Sequence, residues 1–152
     1  MVARVGLIIP SSNRMVEQEM VRFFPENVVP HITRLRMTGS NRKTISDLLP
    51  EVEAAAAALA DAKCNVIVFH CTANSMSEGS AGEARLLETI KKAGAPRMAT
   101  TSTAIVEALR ALQAKSVSLV TPSMARAHDG DGWLRCAGDL SLLCQCAGHC
   151  HC

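Results

Sequence analysis

From Ala3 to Val120 the chain alternates short, β-branched apolar runs with longer stretches whose apolar residues return every three or four positions. That rhythm constrains the fold more than any single motif. Strands alternating with helical stripes build βαβ units and a parallel sheet. The expected strands are residues 3–9, 31–37, 66–70, 97–99 and 116–120. Between them, residues 15–24 read as a helix with Met15, Met20 and Phe23 or Phe24 inward, and Pro25 and Pro30 bracket a loop. Leu48, Val52, Ala55, Ala56, Leu59 and Ala60 form the second stripe. Pro50 is tolerated only near a first turn, so this helix should begin close to Ser46 or Asp47. A loop with Gly79 and Gly82 precedes a third stripe of Leu86, Leu87, Ile90 and Ala93, which Gly94 stops as a left-handed cap. Ile105, Val106, Leu109 and Leu112 form the last stripe, capped by Thr101 or Ser102. The expected fold is α/β, a doubly wound parallel sheet of flavodoxin-like type.

In such a sheet right-handed crossovers put all strand carboxyl ends on one edge, where ligands bind. Ser11 to Asn13, Cys71 to Asn74, Thr100 to Thr103 and Thr121 to Ser123 all follow strands and should meet at one crevice. Cys71 ends the most apolar strand. It is either an inert buried thiol or a nucleophile or acid/base. The hydroxyls of Thr72 and Ser75 and the loop N–H groups could hold a carboxylate or an enolate beside it. Asn13 either caps the following helix or offers its amide to a carboxylate. Cys64, at the opposite edge, reads as structural. His70 neighbours Cys71 along the strand and so points to the other face, which removes it as the thiol's base. His31, Arg34 and Arg36 have no assignable partner.

The length of 152 residues suffices for one domain with its own core, and 48% apolar content excludes a disordered chain. A net charge of +2, scattered, with 3% aromatics and no Tyr, offers nothing to nucleic acid or an acidic membrane. No run reaches membrane-spanning length, and residues 1–10 lack a signal-peptide layout, so a cytoplasmic location and free thiols are expected. No dinucleotide fingerprint, phosphate loop, zinc-protease helix or nucleophile elbow occurs, and no cofactor is expected.

Composition changes near Gly130. Residues 131–152 hold five of the seven cysteines, the only Trp and no Ile or Val. No strand is expected there. Cys144, Cys146, Cys150, Cys152, His149 and His151 could ligate zinc, but their spacing is not that of paired knuckles. No metal ligands are assigned, and a metal-binding tail stands as a separate reading. Two parts are expected: an α/β half-domain over 1–130, and an irregular Cys/His-rich tail over 131–152, through a frame shift near Gly130 or a truncated gene.

The strand-end pieces, in order, are Gly6-Leu7-Ile8-Ile9-Pro10-Ser11-Ser12-Asn13, Cys71-Thr72-Ala73, Thr100-Thr101-Ser102-Thr103-Ala104, Ala108-Leu109-Arg110-Ala111-Leu112 and Val120-Thr121-Pro122. Together they resemble the aspartate/glutamate racemase superfamily, nearest its maleate cis-trans isomerase branch, with arylmalonate decarboxylases close by. The resemblance implies a cofactor-free enzyme of two pseudo-symmetric halves, each giving one cysteine to a shared site. Cys71 would attack the alkene carbon of a small cis-dicarboxylate. After rotation about the former double bond the thiolate would leave, giving the trans isomer. That role needs a thiolate of lowered pKa. Asn13, Ser11, Thr72, Thr101 and Ser123 would bind substrate. Ser123 stands where the family tends to have Tyr, and the second half with its cysteine has no counterpart here. A decarboxylase or an amino-acid or hydantoin racemase is the alternative, although decarboxylases tend to lack a cysteine at this place. A further alternative is an inactive half acting as a binding or assembly module. A sheet cut short exposes apolar surface, so self-association into a homo-oligomer is expected.

Overall fold

The computed structural model describes residues 2–37, 43–114, 116–119 and 141–144. The chain divides into two compact units, Met1–Thr101 and Ser102–Cys152.

The first unit carries a four-stranded, wholly parallel sheet in the order β2-β1-β3-β4, built from β1 (Ala3–Pro10), β2 (Val28–Leu35), β3 (Val66–Phe69) and β4 (Met98–Thr100). α1 (Val16–Phe23) joins β1 to β2, α2 (Ile45–Asp61) joins β2 to β3, and α3 (Thr72–Met76) with α4 (Gly79–Lys92) joins β3 to β4. The direction of winding reverses between β1 and β3. Their carboxyl ends therefore flank the switch point at which open α/β sheets leave a crevice.

Side chains alternate across β1 and sort into two apolar layers. Ile8 joins Ile67, Phe69 and Leu35 beneath α2 and α4, which contribute Ile45, Leu48, Val52, Leu59, Leu86 and Ile90. Leu7 and Ile9 pack on the other side with Val16 and the partly buried Met20, Ile32 and Val68. α2 starts on a capping box: Asp47 N–H donates to Thr44 Oγ1 at 3.2 Å, and Thr44 N–H donates back to Asp47 Oδ2 at 3.2 Å. Gly94, just past α4, takes φ +98°, the left-handed conformation expected of it.

Several local expectations are corrected. α1 turns Val16 and Met20 inward, while Met15 (58% exposed) and Phe23 (68%) face outward. Pro30 lies inside β2 rather than in a loop. β2 is an edge strand, where a residue without an N–H is tolerated. α2 begins at Ile45, which puts Pro50 beyond its first turn. Residues after Cys71 form the short helix α3 instead of a loop, and α4 starts at Gly79. Gly82 lets α4 approach α2 closely, since a Cβ there would lie 2.6 Å from Ile45 Cδ1.

The second unit contains α5, which begins at the unit boundary (Thr101–Ala111), and a parallel pair of β5 (Ser116–Leu119) with β6 (Ser141–Cys144). α5 buries Ser102 and Val106 but leaves Ile105 exposed, and Leu112 falls just past its end and is exposed too, so the expected stripe is only partly covered. β6 is a strand in the segment where none is expected. Pairing supplied by β5 explains how a run without Ile or Val becomes extended.

Candidate functional site

The carboxyl edge of the four-stranded sheet brings Ser11, Asn13, Cys71, Thr72 and Thr101 to one side of the first unit. Pairing puts Pro10 beside Leu35, Ile8 beside Phe69, and Phe69 beside Thr100, so the turns after β1, β3 and β4 leave adjacent strand ends. Ser123, Cys136, Cys146, Cys150, Cys152, His149 and His151 lie outside the described residues. Among the described residues no group of three His, Cys, Asp or Glu is placed to hold a metal. Nor, among them, is any helix long and apolar enough to cross a membrane.

Ser11 is committed on both sides to the backbone after β2. Its hydroxyl donates to Met37 O at 3.3 Å and accepts from Met37 N–H at 3.1 Å, while its own N–H donates to Leu35 O. The residue ties two strand ends together. Asn13 does what a helix-leading Asn is expected to do: Oδ1 accepts from Met15 N–H at 3.0 Å and from Val16 N–H at 3.1 Å. Its Nδ2 makes no hydrogen bond among the described residues, so the amide is left with two donors to offer. Arg34, without an assignable partner in the sequence, holds this turn from β2. Its Nη1 donates to Ser11 O at 3.1 Å and Asn13 O at 2.7 Å, and its Nη2 pairs with Glu17.

Cys71 follows β3 in extended conformation, φ −149° and ψ 98°, and is half-buried. Its thiol donates to Asn74 Oδ1 at 3.2 Å. Burial pushes the Cys71 thiol above its ordinary value, and hydrogen bonds from the backbone N–H groups of Asn74 and Ala73 pull against that. Burial prevails. The expectation of a lowered pKa is therefore overturned, and the resting group is the thiol. Cys64 is buried at the other end of β3, its thiol also pushed up by burial, in keeping with a structural role. Both are free cysteines.

Thr72 opens α3 with an exposed side chain that hydrogen-bonds nothing among the described residues; its carbonyl accepts from Ser75 Oγ at 3.1 Å. Thr101 Oγ1 donates to Phe69 O at 3.4 Å and so sits against the strand that leads to Cys71. Two residues not singled out in the sequence support this edge. Asn74, 7% exposed, joins the Cys71 thiol to Lys43 O through its Nδ2 at 3.3 Å. Glu83 of α4 is buried and accepts from Thr100 Oγ1 at the end of β4. Spacing alone could have flagged Asn74, three residues past a strand-end cysteine, but its second partner is remote in the chain.

Comparison with known proteins agrees with the fold. A family model described as arylmalonate decarboxylase matches residues 5–129. A maleate isomerase of Geobacillus stearothermophilus is 30% identical over 134 residues, which is 80% of this chain and 53% of that protein. One of Nocardia farcinica is 33% identical over 132 residues, 81% of this chain and 53% of the relative. This chain thus spans about half the length of these relatives. A solved mutant of the Nocardia farcinica maleate cis-trans isomerase, with a covalently bound succinylcysteine intermediate, superposes with TM-score 0.77 at 28% identity. The likeness covers 96% of this chain and 64% of that one. Unliganded arylmalonate decarboxylase, at 23% identity, shares the fold with TM-score 0.77, over 99% of this chain and 63% of its own. The chain belongs to the arylmalonate decarboxylase family, alongside the maleate isomerases it resembles.

Proposed function

We propose that this chain forms one half of a cofactor-independent isomerase that converts maleate to fumarate, with Cys71 as its nucleophile. The observation that carries this reading is the sulfur at a strand end beside the switch point, faced by the N–H groups of Ala73 and Asn74. The succinylcysteine held by the Nocardia farcinica protein supports covalent chemistry at a cysteine of this family.

In the proposed reaction the Cys71 thiol first gives up its proton to water, and the thiolate so formed adds to one alkene carbon. A C–S bond forms and the π pair moves onto the neighbouring carbon and its carboxylate. Backbone N–H groups and the Thr72 hydroxyl stabilise that charge. Rotation about the former double bond follows. The pair then re-forms the alkene, the C–S bond breaks, and fumarate leaves with the thiolate restored. No electrons or atoms are gained. Asn13 Nδ2 holds one carboxylate, with Ser11 and Arg34 keeping its turn in place; Thr101 completes the substrate set on this unit. A second half with its own cysteine supplies the other wall. We assign residues 1–130 to the half-domain and 131–152 to an atypical tail, an assignment the match over 5–129 supports. Free thiols at Cys64 and Cys71 suit a reducing, cytoplasmic location.

The Cys71 thiol, pushed up by burial and donating to Asn74 Oδ1, favours a second reading, a module that binds a dicarboxylate without turning it over. Both are tested by incubating the chain with maleate. Proton NMR follows fumarate, and peptide mass spectrometry locates adducts. The isomerase reading expects a one-maleate adduct on Cys71 that forms faster than on the tail thiols, and its loss in Cys71→Ser. Binding without adduct or fumarate favours the module. An adduct spread evenly over all accessible thiols removes Cys71 as the nucleophile.

A further inference from the structure

We propose that Asn74 is a positioning residue that ties the protonation of Cys71 to the anchoring of the chain at Lys43. The inference rests on Cys71 being the nucleophile.

Lys43 O can only accept a hydrogen bond. The Asn74 group that faces it at 3.3 Å is therefore the NH2, and the amide oxygen is left facing Cys71 Sγ at 3.2 Å. An oxygen in that position is satisfied by S–H and repelled by S⁻. The observed arrangement belongs to the thiol. To serve a thiolate the amide must turn over and present Nδ2 to sulfur. It then drops Lys43 O, because its oxygen would meet another acceptor. Asn74 is too buried for water to take over either bond freely, and Ser77 fixes its backbone by donating to Asn74 O at 2.9 Å. Lys43 leads directly into the Thr44 cap of α2. An ionised nucleophile and a held Lys43 carbonyl are thus alternatives decided by one amide.

The surrounding charged groups are committed elsewhere. Lys43 Nζ pairs with Glu51, and Asp47 is turned to Thr44. Glu78 pairs with Arg85 and accepts from Ile45 N–H at 2.8 Å. His70 lies between the end of β3 and the thiol, and α3 itself carries no titratable side chain.

The test is the pH midpoint of iodoacetamide alkylation at Cys71, read on its own peptide by mass spectrometry in the full chain. Asn74→Asp offers sulfur only acceptors and should raise the midpoint by about one pH unit or more. Asn74→Ala removes the oxygen that holds the proton and should lower it. A residue of merely structural importance would move both variants the same way or neither, and that result overturns the proposal. A second measurement leaves Asn74 intact. Above the midpoint, hydrogen exchange of amides 44–48 should be faster in the wild type than in Cys71→Ser, which cannot ionise there. Equal exchange overturns the coupling. Neither readout needs turnover. Diverging midpoints without a maleate adduct sink the isomerase reading and leave the coupling standing. An adduct without divergence sinks the coupling alone.

Discussion

Asn13 gives two separable quantities, because its two amide atoms do different work. Asn13→Ala removes the oxygen that accepts from Met15 and Val16 N–H. The Met15 end is exposed, so water replaces that bond. Val16 is 3% exposed, so its N–H is where the loss is felt. Loss of such a cap costs about 1 kcal/mol. For a unit of this size that is a fall in melting temperature of roughly 5 °C. Asn13→Asp keeps a cap oxygen and adds a charge at the start of α1, worth about 0.5 kcal/mol in the stabilising direction. Its melting temperature should stay at or above that of the wild type. Binding should rank the variants differently. Both lose the Nδ2 donor, a bond to a charged group worth about 1.5–3 kcal/mol, or roughly ten- to a hundredfold in Kd. Asn13→Asp adds repulsion between carboxylates and should bind weakest. The assay is a thermal melt beside calorimetric titration with maleate, all on a Cys71→Ser background so that no covalent adduct forms. Equal destabilisation by Ala and Asp would refute the capping argument. Wild-type affinity in Asn13→Asp would refute the carboxylate donor.

Three further outcomes follow from the packing and the thiols. Leu48→Ala, at a fully buried position beneath the sheet, should destabilise the first unit by about 3 kcal/mol in urea titrations. Lys63, exposed at φ +56°, should be improved by Lys63→Gly by about 1 kcal/mol, measured the same way. Burial raises the Cys64 and Cys71 thiols above the ordinary range of a cysteine, about 8.5, so an unfolded chain loses these protons first. Stability should therefore fall as pH climbs past that value, and Cys64→Ala should flatten the decline in urea midpoint between about pH 8 and about pH 10.

The parts of the fold visible in the sequence are those governed by local periodicity. β1 and β3 are continuous apolar runs because both faces are covered, and α2 and α4 carry stripes long enough to show their phase. α3 spans five residues, too few for a helical period to register. Pro30 reads as a loop until β2 is known to lie at an edge, a property of pairing rather than of composition. The inward face of α1 depends on its first residue. Met15 precedes α1, so its side chain lies off the face that Val16 and Met20, four residues apart, turn to the sheet. At the site, Ser11, Asn13 and Cys71 are legible as residues that follow strands. What they bond to is not. The bonds from Met37 to Ser11, from Arg34 to Asn13 and from Lys43 to Asn74 each span more than twenty positions. The protonation state of Cys71 is equally hidden, because burial, a three-dimensional quantity, outweighs the two nearby N–H groups.

The strand order also governs how this unit can be made. β1 is synthesised first yet lies inside the sheet, bonded on one flank to β2 and on the other to β3. The second flank cannot close until Phe69 has left the ribosome to meet Ile8, about sixty residues later. Until then an apolar strand has one bare edge, open to any other extended chain in reach. Folding of this half should accordingly be slow, governed by that long-range closure, and at its most aggregation-prone while translation has passed β2 but not β3.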